Sequence, residues 1–385
     1  MKTSRLLSAM FILCAAASAT VAAGSAVARR TLNADDFYNI QTLSDPQVAP
    51  DGQWVAYVVT TNDREADEPR SAVWMVSWDG RQHIQLSNPA KDTRAPRWSP
   101  DGHYLAFIST PAGAEHKQLL LLDRRGGEAR ALTSVSDDIG DYAWSPDGRR
   151  LALVMTLSDE QTGPPAGANA SNTAKAAKRP KPIVIDALHF KEDEDGYLGV
   201  GHGRHLYLLD VASKTIEVLT SDPAGNEDLP RWSPDGRQIA FVSTREKGPD
   251  PDGMADIDVI EASAGATARQ VVRAYAPNGQ QLAWSPDGTL LAYLQGIGPR
   301  YNAYSQDRLA VVPVTGGQPR ALSDSLDRAV ASYAFTPDGA SIDLIIEDDG
   351  TAYPARIDLR SGLCTPTIKG SFVVSALSAA GSNLA

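Results

Sequence analysis

The chain has 385 residues, with 47 acidic side chains against 36 basic ones and a net charge of −11 at pH 7. That balance disfavours a nucleic-acid partner, because phosphate binding calls for a basic surface; the acidity reads as solubility. There are two cysteines, Cys14 and Cys364, and the first lies in the leader described next, so a disulfide framework within the chain is excluded.

Lys2 and Arg5 precede an apolar run from Leu6 to Ala17, and Ala26-Val27-Ala28 supplies small residues at a cleavage site before Arg29. Residues 1–28 therefore read as a secretory signal peptide cut after Ala28. This predicts a periplasmic or secreted protein. The run is too short and too rich in alanine to span a bilayer, and no later segment is apolar enough to do so. Residues 29–45 form a lead-in with one short helix. Asn33 caps Ala34 to Ile40, and Asp35 and Asp36 favour its first turn.

From residue 46 onward the chain repeats itself. The repeat carries Pro-Asp-Gly at residues 50–52, 100–102, 146–148, 234–236, 286–288 and 337–339, at spacings of 50, 46, 88, 52 and 51. Pro presets one turn position, Asp bonds local backbone and Gly supplies positive φ, so each copy reverses one strand into the next. Trp98, Trp144, Trp232 and Trp284 stand two residues before the proline as apolar anchors, and Ser between them offers a hydroxyl to the turn amides. An apolar-Ala-aromatic run follows, as in Leu105-Ala106-Phe107 and Ile239-Ala240-Phe241. Its alanine marks a place where a neighbouring sheet comes close. Downstream lies a second hairpin, such as Leu119–Asp123 leading to Leu132-Thr133, or His205–Asp210 leading to Leu219-Thr220.

Four short strands in every 45–50 residues predict an all-β chain folded as a β-propeller. Six recognisable blades start near residues 46, 96, 142, 230, 282 and 333 and extend over 46–370. Residues 158–182, rich in Ala, Gly, Pro, Asn and Lys, form an insertion with no apolar period in the third blade. Ser378 to Ala385 line up with Ser145 to Ala152, so 371–385 read as the truncated start of a seventh blade and the chain as a fragment of a longer protein. An incomplete ring would leave open edges, which predicts dimerisation or aggregation of the isolated chain.

Chemistry-bearing motifs are sparse. No Gly-x-Ser-x-Gly occurs, so there is no nucleophile elbow and no catalytic residue is assigned. His202 and His205 are the one close histidine pair and read as a polar loop rather than metal ligands. Glu192–Gly196 and Asp250–Gly253 resemble pieces of calcium loops but keep no EF-hand pattern. Asn169-Ala170-Ser171 fits a glycosylation triplet. No cofactor fingerprint is present, and no metal or cofactor is expected.

Four stretches carry a family resemblance: Leu32–Phe37 through Ser44–Gly52; Gln118–Asp123 with Gly126–Thr133; Lys181–Asp186 with Phe190–Leu198; and the repeated Trp-Ser-Pro-Asp-Gly. Together they resemble the N-terminal propeller of prolyl oligopeptidase family serine peptidases of the acylaminoacyl-peptidase or dipeptidyl-peptidase-like kind. The resemblance covers residues 32–385. It implies a propeller that filters peptide substrates by size for a following α/β-hydrolase domain carrying a Ser-Asp-His triad. No triad position falls in this sequence, which implies a chain inactive on its own. The competing reading is a stand-alone periplasmic propeller that binds a protein partner, like the propeller of the Tol system.

Overall fold

A computed structural model describes residues 30–156, 191–192, 196–197, 203–222, 225–245, 254–275, 281–296, 298, 306–368, 370–381 and 383–385. The expected insertion at 158–182, its flanking strand Ile183–Asp186, Asn169, His202 and Asp250–Gly253 lie outside the described residues. Two units divide the chain, residues 1–37 and 38–385. In the first, Arg30 pairs with Asp36, and the Asn33 side chain accepts the Asp35 amide at 2.9 Å, as a cap should. The helix is a 3-10 turn, Ala34–Asn39, one residue shorter than expected.

The second unit is built of six antiparallel four-stranded blades. Their strands are Gln41–Val48, Trp54–Asp63, Glu68–Ser77 and His83–Gln85 in blade one. Blade two has Arg94–Trp98, Tyr104–Ser109, Gln118–Asp123 and Arg130–Ala131. Blade three has Ile139–Trp144, Arg150–Thr156, Arg204–Asp210 and Ile216–Val218. Blade four has Gly225–Trp232, Gln238–Arg245, Met254–Glu261 and Arg269–Tyr275. Blade five has Leu282–Trp284, Leu290–Gln295, Arg308–Pro313 and Arg320–Ala321. Blade six has Ala329–Phe335, Ser341–Asp348, Thr351–Asp358 and Cys364–Pro366. Most first strands begin a few residues before the expected starts, because the turn motif marks the end of each strand and says nothing of its beginning. The first strands of successive blades touch, which puts them on the inner wall of the ring. Two short hairpins stand apart from the blades: Lys191–Glu192 with Gly196–Tyr197, and Ala379–Ala380 with Asn383–Leu384.

Strand period decides the packing. Successive side chains point to opposite faces, so Leu105 and Phe107 join the core against blade one while Ala106 and Ile108 join the core against blade three. The five junctions from one–two to five–six each hold one such apolar cluster. The repeated alanines Ala56, Ala106, Ala152, Ala240 and Ala292 are fully buried, as close sheet packing requires.

The turns do what their composition predicts. Ser99 Oγ donates to Asp101 (2.5 Å) and accepts the Tyr104 amide (2.9 Å), while Asp101 accepts the His103 amide (3.0 Å). Ser145, Ser233 and Ser285 repeat this. The turn aspartates are held below the usual carboxylate range, chiefly by the serine hydroxyl in Asp101, Asp147, Asp235 and Asp287. The Trp residues do more than anchor. Trp98, Trp144, Trp232 and Trp284 each donate the indole N–H to a carbonyl of the preceding blade, at 2.8–3.3 Å.

Candidate functional site

Two charged features stand out where the first strands meet. The first is on the inner wall. Of the four Trp-Ser-Pro-Asp-Gly turns, two are preceded by Pro-Arg, at residues 96–97 and 230–231. Just before each pair the strand carries a bulge, with Ala95 at φ 53° and Leu229 at φ 54°. Blade one has the same device, with Asp45 at φ 51°. Bulges of this kind re-aim side chains. Arg97 Nη1 donates to Asp45 at 2.7 Å and to the Pro96 carbonyl at 2.8 Å. Arg231 Nη1 donates to the Pro230 carbonyl at 2.8 Å and lies 3.5 Å from Asp141.

Asp45, Arg97, Asp141 and Arg231 therefore alternate in sign across blades one to four. All four side chains are partly open to solvent. Burial acts to lower the Arg97 pKa, but Asp45, with Tyr142 and Asp141 behind it, raises it overall. Blades three, five and six carry Ala143, Ala283 and Ala334 where the two arginines stand. On the blade five–six side, Gln281 stands where Asp45 and Asp141 do and bonds Tyr333: Gln281 Oε1 accepts the Tyr333 amide (3.0 Å) and the Tyr333 hydroxyl donates to the Gln281 carbonyl (2.8 Å). Among the described residues, the first strands of blades one to four carry the alternating charges, and blades five and six carry the Gln281–Tyr333 pair.

The second feature joins blades three and four. His205, expected to be a polar loop residue, is buried at the start of a strand, with its Nδ1 2.7 Å from Glu227 Oε2. Thr220 donates to the same oxygen at 3.0 Å. Ile139 occupies the place of Glu227 in blade three, counting back from the tryptophan, so an acid has entered an apolar position. Beside this pair Arg204 meets Asp228 at 2.8 Å. Burial pushes the Asp228 carboxyl up to about 6; Arg204 opposes that shift, while Asp141 and Glu227 add to it.

Farther along blade four, Arg245 bridges Asp256 (2.9 Å) and Asp258 (2.8 Å). Burial also raises the pKa of Asp258, whose second oxygen has no partner; Arg245 offsets this only in part. Ser243 faces both Glu227 and Asp256 across the ladder. In this cluster His205, Glu227, Asp256 and Asp258 are buried, while Arg204, Asp228 and Arg245 stay partly open to solvent. Among the described residues, no three His, Cys, Asp or Glu side chains converge as metal ligands. Sequence reasoning missed both features. The one available signal was the arginine preceding two of the four tryptophans.

Comparison with known proteins places this architecture. No family model matches the chain. The Bacillus subtilis protein described as an uncharacterized peptidase, YuxL, is 30% identical over 233 residues, covering 60% of this chain and 34% of that protein. Dipeptidyl-peptidase 5 of Porphyromonas gingivalis is 24% identical over 342 residues, covering 85% of this chain and 48% of its own length. Among solved structures, the acylaminoacyl peptidase of Pyrococcus horikoshii superposes with a TM-score of 0.66 at 18% identity, covering 90% of this chain and 49% of that one. This chain is a six-bladed β-propeller that is similar, over most of its length, to about half of each of the last two peptidases. It spans half or less of the curated relatives it matches. The β-propeller domain of the Trilobed protease from Pyrococcus furiosus, described as having an open velcro topology, superposes at a TM-score of 0.57 and 15% identity, covering 88% of both chains.

Proposed function

We propose that this chain is the substrate-gating propeller of a secreted or periplasmic serine peptidase that acts on peptides. In this reading the catalytic serine, aspartate and histidine belong to an α/β-hydrolase domain encoded beyond residue 385, and the propeller alone hydrolyses nothing. The observation that carries it is the match to dipeptidyl-peptidase 5 along 85% of this chain but 48% of the relative, which leaves the rest of a peptidase unmatched. The inner wall would then be the surface that a passing peptide meets. Its charged side, with two cations each answered by an anion, suits the dipolar backbone and termini of a short peptide better than a folded protein surface.

The test is to read the gene past codon 385 and to treat the secreted fraction with a fluorophosphonate, which labels activated serines. A longer open frame containing Gly-x-Ser-x-Gly, with label on the full-length product and none on residues 29–385 alone, supports the proposal. A stop codon at that point, with no labelled product, removes it and leaves the stand-alone binding propeller.

A further inference from the structure

The inner wall carries donors that the protein leaves unused. One residue before the tryptophan position, the six blades hold in order Gln47, Arg97, Ala143, Arg231, Ala283 and Ala334. Three long donors therefore share this level of the wall with three bare methyl groups. The two guanidiniums are engaged in the same way. Arg97 makes all its hydrogen bonds through Nη1, to the Asp45 oxygens at 2.9 and 2.7 Å and to the Pro96 carbonyl at 2.8 Å. Arg231 also uses Nη1 alone, for Asp141 at 3.5 Å and the Pro230 carbonyl at 2.8 Å. Among the described residues, Nε and Nη2 of both arginines have no partner. That edge of a guanidinium holds two parallel N–H donors, spaced to meet the two oxygens of a carboxylate.

The neighbouring carboxylates are already engaged. Gln47 Nε2 donates to Asp45 at 2.8 Å alongside the Arg97 bonds, and Asp141 accepts the Tyr142 amide at 2.8 Å. The backbone under each arginine is pinned. The Trp144 indole donates to the Arg97 carbonyl at 3.3 Å, and the Trp284 indole to the Arg231 carbonyl at 2.8 Å. Solvent still reaches nearly a third of each arginine side chain. Held cations with an open fork need little reordering to take up an anion.

We propose that the free edges of Arg97 and Arg231 form a carboxylate subsite on the inner wall, which favours short peptides that bring a carboxylate, from the C-terminus or from an Asp or Glu side chain. That the ligand is a peptide rests on the function proposed above; the carboxylate chemistry rests on the two guanidiniums. A lysine in either place would offer a point charge without the fork.

Titration calorimetry on the full-length protein tests this, after treatment with the fluorophosphonate so that peptides stay intact. The probes are Ala-Ala-Gln-Ala with a free C-terminus, Ala-Ala-Glu-Ala amide and, as the uncharged control, Ala-Ala-Gln-Ala amide. At low salt one or both of the first two should bind about tenfold tighter than the control, as charge-assisted bonds allow. Which of them gains tells the terminal carboxylate from the side chain. Added salt should narrow the gap. Arg97→Gln/Arg231→Gln should bind all three alike, and Arg97→Lys/Arg231→Lys should keep part of the preference. Should the double glutamine variant fail to fold, Arg231→Gln alone, which breaks the looser ion pair, should still cut the preference by about threefold. Equal binding of the three peptides to the wild type, or a preference that survives these glutamine substitutions, would overturn the proposal. Labelling judges the peptidase reading separately: a preference in protein that takes no label keeps the subsite and removes the peptidase, and labelled protein without a preference does the reverse.

Discussion

The junction between blades three and four and the seam at blade one close the same ring by opposite means. At the former, Trp232, Phe241, Ile239, Leu206 and Leu208 fill an apolar core, the Trp232 indole reaches the Ala143 carbonyl, Arg150 lies over the Trp232 ring, and a buried His205–Glu227 pair seals one end. At the seam two polar side chains make the contact instead, Ser378 to the Val48 amide and Asn383 to the Gly52 carbonyl. The contrast shows how unevenly a repeat fold spreads its stability: blades two to six each share a buried apolar cluster with the blade before, while residues 378–385 touch blade one through a short hairpin.

Breaking the strong junction should have the largest effect. Glu227→Ala strands His205 beside a void and should cost about 3 kcal/mol, as loss of one partner of a buried pair does. Replacing the pair with apolar groups, His205→Leu with Glu227→Ile, should recover to within about 1 kcal/mol of wild type, because Ile139 already fills the matching site in blade three. Urea unfolding measures both, and a single variant as stable as the wild type would show that the pair bears no part of this junction.

Trp232→Phe should follow at about 1–2 kcal/mol, from the lost bond to Ala143 and the weakened stacking of Arg150. Phe335 at the same place in blade six shows that the ring alone can fill the volume. A change too small to measure would leave the indole with packing as its sole role.

A glycine pair sharpens the seam. At Gly80 (φ 71°) an added methyl would meet open space, with nothing within 4 Å, whereas at Gly52 (φ 68°) it would meet Asn383. Gly80→Ala should cost about 1 kcal/mol for its backbone alone. Gly52→Ala should cost more, and Asn383→Ala should remove the excess. Equal costs for the two glycine variants would mean that the hairpin adds nothing to blade one.

The smallest effect is one of pH. The Asp228 carboxyl is raised to about 6 in the fold, from its ordinary value of 3.8. The folded state therefore holds this proton more tightly than the unfolded state, and the group's contribution is fullest below pH 4 and is lost as pH rises toward and through 6. Asp228→Asn should leave stability at pH 4 nearly unchanged and raise it at pH 7 by up to about 1 kcal/mol, since solvent reaches a third of the side chain and screens the effect. A difference between variant and wild type that stays constant from pH 4 to 7 would refute this assignment.

Much of the fold was legible because its punctuation is chemical. Pro, Asp and Gly each have one local reason to occupy their turn positions, so the six turns, the tight alanines and the hairpins could be read from single stretches of chain. The strand beginnings were not, since a bulge with a residue at positive φ leaves no signal when that residue is Asp45, Ala95 or Leu229. The C-terminal alignment also needed adjustment. Ser378 to Ala385 do form a hairpin, but Ala379 pairs with Leu384, where the alignment with Ser145 to Ala152 would set Leu377 opposite Leu384. Without Pro and Asp the turn closes two residues tighter.

Sequence by itself determined the repeat, the blade and the turn, because each is set by contacts within about fifty residues of chain. Only the tertiary structure decided that Arg97 answers Asp45, that Glu227 answers His205, and that Asn383 meets Gly52, 331 positions away. Those pairings depend on which blades become neighbours, and on bulges that turn a side chain toward the inner wall, and neither is written in the local pattern of any one strand.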